Sequence, residues 1–290
     1  MIVISLNDPH VLALCLAALR DQVQALRAEL LVVRRDAQHD PACEALRRHH
    51  AHAIWIDAPA GSTIPQQRSL GIRRSRGEIV GLLEDDCVVN GAWCAAAVAA
   101  HDGRRSAVGG PIAPGAYTTG LDWAIFLCEY GRFIPPQPAV ARVLPGNNIT
   151  YRRAALAETD LADGLYEVFL HARWQAAGEQ LWSDEGLLVK NVNHWSASKV
   201  LPSAYHHGRT FAAMRVQGAS GSRRLIYGVL SPLLPFVQTL RIARTALARR
   251  QVRSSFVRAL PWIAAFTGSW AWGEWCGYWF GPGASAGQWQ

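Results

Sequence analysis

Three carboxylates stand together at Glu84-Asp85-Asp86, directly after the apolar run Ile79-Val80-Gly81-Leu82-Leu83. Adjacent carboxylates repel one another, and a turn with a purely structural duty gains nothing from that repulsion. A divalent cation relieves it. Hard oxygen ligands suit Mg2+ or Mn2+, ions that keep positions open for substrate phosphates. An acidic strand end that simply faces water is the alternative at this point. The six cysteines, Cys15, Cys43, Cys87, Cys94, Cys128 and Cys276, lack the paired short spacings of zinc sites and disulfide frameworks, and read as reduced thiols facing the cytoplasm. His49, His50 and His52 likewise have no matched ligand set.

The acids need a scaffold, and the preceding chain describes one. Met1 to Leu6 reads as a first strand, too short for the apolar region of a signal peptide and without a basic stretch before it. A helix-period segment from Val11 to Glu29 follows, then the short apolar runs Leu30 to Val33 and Ala53 to Ile56, a Gly/Pro/Ser turn from Pro59 to Pro65, and the run that ends in the acids. Strands alternating with helices indicate a parallel sheet in an α/β domain, whose ligands bind at the carboxyl ends of the strands. The length of 290 residues accommodates one such domain with an appendage, and 50% hydrophobic against 18% charged residues excludes a disordered chain.

The stretch from Ala60 to Asp86 resembles the central motif of family 2 glycosyltransferases with the GT-A fold. Arg68-Ser69-Leu70-Gly71 stands where that family has an Arg-Asn-x-Gly helix, Arg76-Gly77-Glu78 matches its Arg-Gly-Glu turn, and Glu84-Asp85-Asp86 its DxD strand end. Pro145-Gly146-Asn147-Asn148 is similar to the Gly-Asn-Asn segment beside the donor sugar, and Leu165 to Gly178 to a helix that begins Glu-Asp and ends Ala-Gly. Counting back from Gly178 puts Glu167 at the catalytic acid position, where an inverting enzyme needs a carboxylate to take the proton of the attacking hydroxyl. Apart from the resemblance, Glu167 reads as an acid favoured by the dipole of a helix's first turn. Ala204-Tyr205-His206-His207-Gly208-Arg209 looks like the His-x-Arg segment that closes the catalytic domain in similar bacterial enzymes, with His207 and Arg209 able to neutralise a leaving diphosphate.

The resemblance therefore implies a Rossmann-like nucleotide-diphospho-sugar transferase domain. Arg68 would contact the nucleotide, Glu84 and Asp86 would hold ribose and metal (Mg2+ or Mn2+), Asp85 would assist, and Asn147 and Asn148 would border the donor sugar. The reaction it implies is inverting transfer of a hexose-like sugar from a nucleotide-sugar donor to an acceptor hydroxyl on a lipid-linked or cell-envelope glycan. The chain departs from the pattern at Asn7-Asp8-Pro9, in place of Pro-x-x-Asn, and at Arg34-Arg35, in place of an aspartate pair. Asp36, one place late, or Asp57 could accept a hydrogen bond from a pyrimidine base, and each could equally cap a helix. Leu170 replaces the Gln of the processive members' Gln-x-x-Arg-Trp motif, so single transfer is expected. A nucleotidyltransferase of related fold and a non-catalytic membrane scaffold are the alternatives, the first weakened by the missing Gly-rich loop after Leu6.

The charge of +7 lies wholly in the tail: residues 219–290 hold eight arginines and one acid, Glu274, whereas 1–218 balance. That tail also carries six of the twelve tryptophans, a composition suited to a membrane interface and too apolar for a nucleic-acid patch. Its apolar stretches, Leu225 to Leu240 and Leu260 to Phe280, flank the arginine-rich run 241–258. The first is shorter than the ~20 residues a bilayer requires, and the second carries Trp262, Trp270, Trp272, Trp275 and Trp279. The sequence thus predicts a GT-A domain over 1–218 and a helical tail over 219–290 that lies in the membrane surface on the cytoplasmic face of the inner membrane. A two-span hairpin and a soluble helical tail are the other readings.

Overall fold

A computed structural model of the chain describes residues 1–35, 40–101 and 105–288. In chain order the strands are β1 (Ile2–Ser5), β2 (Leu31–Arg35), β3 (Ile54–Ala58), β4 (Ile79–Glu84), β5 (Cys87–Val89), β6 (Ala107–Gly109), β7 (Ile112–Pro114), β8 (Val140–Ala141), β9 (Asn148–Arg152), β10 (Leu181–Ser183) and β11 (Val189–Asn191). The helices are α1 (Pro9–Ala25), α2 (Pro41–His49), α3 (Ile64–Arg74), α4 (Trp93–Ala100), α5 (Gly120–Glu129), α6 (Arg153–Leu156), α7 (Glu167–Ala176), α8 (Ala197–Arg215), α9 (Gly221–Leu230), α10 (Leu234–Leu247) and α11 (Arg250–Phe280). They form two compact units, Met1–Gly115 with Phe133–Asn193, and Ala116–Arg132 with His194–Gln290. The division falls at Asn193, whereas the shift in composition lies near residue 218.

The first unit is a mixed α/β structure around a sheet ordered β3-β2-β1-β4-β9-β6-β10-β8, with a smaller sheet β5-β11-β7. β3, β2, β1 and β4 run parallel, and β9 is inserted antiparallel between β4 and β6. β1 is buried along its whole length, as its Ile-Val-Ile run requires of a strand covered on both faces. In α1, Asp8 caps the backbone N–H of His10, Pro9 occupies the first turn, and Leu12, Cys15, Leu16, Leu19 and Val23 form the buried stripe. The helix stops at Ala25, short of the expected Glu29, because Arg27 turns left-handed with φ 48°.

α3 positions the central arginine. Thr63 and Gln66 form a capping box at its start. Gly71 lies against the sheet so closely that a Cβ there would sit 2.5 Å from Ile2 Cγ2. The Arg-x-x-Gly spacing thereby places Arg68 one turn earlier on the same sheet-facing side.

The second unit is helical. α8 lies along α11 with little room between them: Cβ atoms at Gly273 and Gly277 would strike the carbonyls of Tyr205 and Arg209, and one at Gly208 that of Trp270. Ile125, Val200, Ala204 and Phe266 form a buried cluster there. The tryptophan-rich stretch is thus the central helix of a packed bundle, with Ile263, Phe266, Ala271, Cys276 and Tyr278 buried. Among the described residues one helical stretch, Gly221–Leu247, is long and apolar enough to cross a membrane, by length and composition. All six cysteines are free thiols.

Candidate active site

The three acids take different partners, since Glu84 ends β4 while Asp85 and Asp86 form the turn that leads into β5. Asp85 is turned toward β1: its Oδ2 accepts from Ser5 Oγ and Leu6 N at 2.9 Å and from Asn7 N at 3.0 Å, and its Oδ1 from Asn7 Nδ2 at 2.6 Å. This buried carboxylate fastens the turn that follows β1. Arg34 holds the same turn from the other side, donating from Nη1 to Ser5 Oγ and Asn7 O at 2.7 Å each.

Glu84 faces α3 and accepts from Arg68 Nη2 at 2.9 Å. The other nitrogen of that guanidinium, Nη1, donates to Glu167 Oε2 at 2.5 Å from the first turn of α7. Arg68, itself buried, therefore bridges two carboxylates 83 residues apart in the chain. Burial opposes the charge on Arg68, but Glu167 and Glu84 outweigh it and hold the guanidinium above its ordinary value. Burial raises Glu84 against the pull of Arg68. Among the described residues Asp86 has no cation beside it. Burial first, and then the like charges of Glu84 and Asp85, push it up to about 8, with the Asn191 amide and the Cys87 thiol as opposing hydrogen-bond donors.

The loop Pro145–Asn148 reaches this group through register. β9 pairs with β4 so that Asn148 faces Leu83, and Glu84 N donates to Asn147 O at 3.3 Å. A Cβ at Gly146 would collide with Glu167 Oε1, so any larger residue there would displace the carboxylate from Arg68. The two asparagines differ sharply. Asn148 receives Trp93 Nε1 at 3.0 Å and donates to the carbonyls of Leu187 and Pro111 at 2.7 and 3.3 Å. Asn147 is equally buried, yet neither its side-chain nitrogen nor its oxygen has a partner. A buried amide without partners costs stability unless a ligand supplies them.

Two supports fix Glu167. Gly164, at φ +119°, lays the preceding loop on α3, where Leu165 N donates to Pro65 O at 2.9 Å. One turn along α7, His171 meets the Tyr151 hydroxyl at 2.9 Å, and burial pushes its imidazole down to about 4.

Asp57, at the end of β3, pairs with Arg47. Asp36 lies outside the described residues. His207 and Arg209 belong to α8 in the second unit, where Arg209 donates to Gly281 O at 2.9 Å and to the Tyr205 hydroxyl at 3.3 Å, closing the end of α11. A cavity of about 450 Å³ opens at the end of β3, lined by Ala58, Gly61, Ser62, Gln66 and Gln67 among others. In the second unit His194 Nδ1 lies 3.0 Å from Oδ2 of the buried Asp122 while Trp195 N donates to Oδ1.

The sequence matches the model of glycosyl transferase family 2 over residues 1–159. No curated protein matches the chain. Among solved structures it is similar to the mannosyltransferase PcManGT from Pyrobaculum calidifontis in complex with GDP-Man and Mn2+, at 14% identity and a TM-score of 0.52 over 91% of this chain and 84% of that one. It is also similar to residues 1–349 of TarS from S. aureus, at 12% identity and a TM-score of 0.50 over 92% and 80%. These likenesses identify the fold as GT-A. With its family model covering more than half of the sequence, the chain belongs to glycosyl transferase family 2.

Proposed function

We propose that this glycosyltransferase moves a hexose-like sugar from a nucleotide-sugar donor to a hydroxyl of a lipid-linked or cell-envelope glycan, with inversion, using a divalent cation at the cytoplasmic face of the cell membrane. The observation that carries the reading is Arg68, which ties Glu84 on the strand end to Glu167 on α7. One cation thus orients an acid on the donor side and an acid on the acceptor side together. The nucleotidyltransferase and scaffold readings lose their support with family membership.

The residues fit a cation of the Mg2+ or Mn2+ class. Asp86 is a hard oxygen donor, buried beside two like charges and, among the described residues, paired with no cation of its own. Among the described residues no group of three or more His, Cys, Asp or Glu side chains could hold a metal alone. That suits an ion held by one or two carboxylates, Asp86 and Glu84, together with donor phosphates. When bound, such an ion supplies positive charge against the leaving diphosphate.

The chain's own residues supply the rest. Glu167 takes the acceptor's proton onto a carboxylate oxygen as the hydroxyl attacks, and Arg68 fixes the direction of that carboxylate. Attack from the face opposite the diphosphate inverts the anomeric centre. Asn147 offers an unpaired amide beside Glu84 to hydroxyls of the donor.

Glu167→Gln keeps the shape and removes the base, so turnover falls ~10²- to 10⁴-fold in a steady-state assay while donor affinity stays near wild type. A comparable loss of donor affinity would instead place Glu167 in the donor site. Undiminished turnover in excess EDTA would overturn the metal assignment.

A further inference from the structure

Between Arg224 and Arg241 the second unit runs for sixteen residues without a charged side chain. This stretch forms α9, a 3-10 turn at Ser231–Leu233 and most of α10. One side is occupied by α11: Gly228 lies against the Trp279 ring, the Tyr227 and Tyr278 rings are 5.7 Å apart, and Ser231 is buried. The opposite side is apolar and open. Leu225, Ile226, Val229, Leu230, Leu233 and Phe236 are between 51% and 75% exposed, and Val237 and Leu240 extend the stripe. Their spacing of three and four residues places them along one face across the turn. A stripe of this size on a soluble surface marks a contact site.

The surrounding charge selects the partner. Arg223 and Arg224 stand at one end and Arg241, Arg244 and Arg250 at the other, all exposed. The single acid of residues 219–290, Glu274, is buried and bonded to Arg215. Within residues 219–290 the rim is therefore positive. A second copy docked face to face would bring arginine clusters together, whereas an anionic bilayer offers hydrocarbon to the stripe and phosphate to its rim.

Geometry also selects the pose. The helical stretch Gly221–Leu247 is long enough to cross a bilayer, but its charge-free part of sixteen residues spans about 24 Å, less than the ~30 Å hydrocarbon core, and Pro232 and Pro235 sit at the break between the two helices. With one side already held by α11, only the other can meet lipid.

We propose that the open face of α9 and α10 seats the protein in the plane of an anionic bilayer, Phe236 and Leu233 entering the headgroup boundary and the flanking arginines engaging lipid phosphates. The proposal rests on the membrane-surface reading of the tail and narrows the lipid contact from both apolar stretches to residues 225–240.

Full-length protein is sedimented with vesicles of phosphatidylcholine alone, or with 30 mol% phosphatidylglycerol as an arbitrary anionic dose, and nucleotide binding is followed in parallel. Binding should favour the anionic vesicles, weaken partly in high salt, and be extracted by carbonate. Leu233→Asp with Phe236→Asp should lower partitioning at least ~10-fold. Both side chains are more than half exposed, so helicity and nucleotide binding should be unchanged. Wild-type binding undiminished in the double variant would overturn the face while leaving membrane association standing. A wild-type protein that stays in the supernatant with both vesicle types would overturn both. Carbonate-resistant insertion, or a dimer that the double variant dissociates, would equally refute the in-plane pose.

Discussion

The two units treat buried charge in opposite ways. In the helical unit, Glu274 is buried and complete: Arg215 Nη1 and the Tyr278 hydroxyl meet its Oε2 at 2.8 Å, and Trp270 Nε1 meets its Oε1 at 2.8 Å. In the sheet unit, Asp86 is equally buried but holds its proton to about pH 8, and Asn147 nearby has no partner for either side-chain polar atom. A buried polar group whose neighbours satisfy it serves the fold. One left deficient at a strand's carboxyl end costs stability that the fold alone does not recover, which assigns it to a ligand.

The sharpest way to break this contrast is to remove each acid. Asp86→Ala should lower transfer by ~10³-fold or more in a turnover assay, because a cation ligand supplies several kcal/mol to the transition state. Its melting temperature should hold or rise, since a desolvated group among like charges is gone. A variant that keeps full activity removes Asp86 from the site.

Glu274→Ala should do the reverse. Removing the buried carboxylate leaves Trp270 Nε1 and the Tyr278 hydroxyl without their acceptor, and the solvent-exposed Arg215 without its ion-pair partner, which costs ~1–3 kcal/mol, read by chemical denaturation, while turnover per folded molecule stays near wild type. Glu274→Gln retains two acceptor contacts and should lose less. An activity loss larger than the loss of folded protein would make the network functional.

How much was legible depended on length and on pairing. β1 to β4, α1 and α3 announce themselves through apolar runs, stripes and caps, and the acidic tripeptide marks the strand end. β5, β6, β7, β10 and β11 have three residues each and β8 has two, too short for any period to emerge. The antiparallel β9 and the joining of Ala116–Arg132 to the helical unit depend on distant partners. Within the site, Glu84-Asp85-Asp86 read as one cluster of repelling charges, yet Asp85 is engaged by four donors from Ser5, Leu6 and Asn7. The tryptophans of α11 suggested an interface because composition does not distinguish a face packed on α8 from one turned to lipid.

His171 sharpens the contrast through pH. Burial holds its imidazole at about 4 despite the attraction of Glu167, with Arg68 adding to the depression. The folded form thus keeps a neutral ring where the unfolded chain, near its ordinary 6.5, takes a proton. The stability contributed is full above about pH 6.5 and is lost progressively as the pH falls toward about 4, by roughly 3 kcal/mol. Urea denaturation at pH 7 and pH 4.5 reads the difference, and His171→Gln should flatten that part of the profile. An unchanged slope would show that the Tyr151 contact does not require the neutral ring.

The smallest effect separates neighbours. Asn148→Ala leaves Trp93 Nε1 and the Leu187 carbonyl without their partner inside the sheet unit, while Pro111 O keeps Val189 N, and so should cost ~1–3 kcal/mol by denaturation. Asn147→Ala deletes an amide that has no partner to abandon, so the free protein should be as stable as wild type or slightly more so. What it should lose is donor affinity, ~10-fold, the worth of about one hydrogen bond of 1.4 kcal/mol made only in the complex. Isothermal titration with the donor nucleotide-sugar and denaturation of the free protein, on both variants, test the rule itself. A stability loss at Asn147 equal to that at Asn148 would mean that an unpaired buried amide at this strand end marks no ligand.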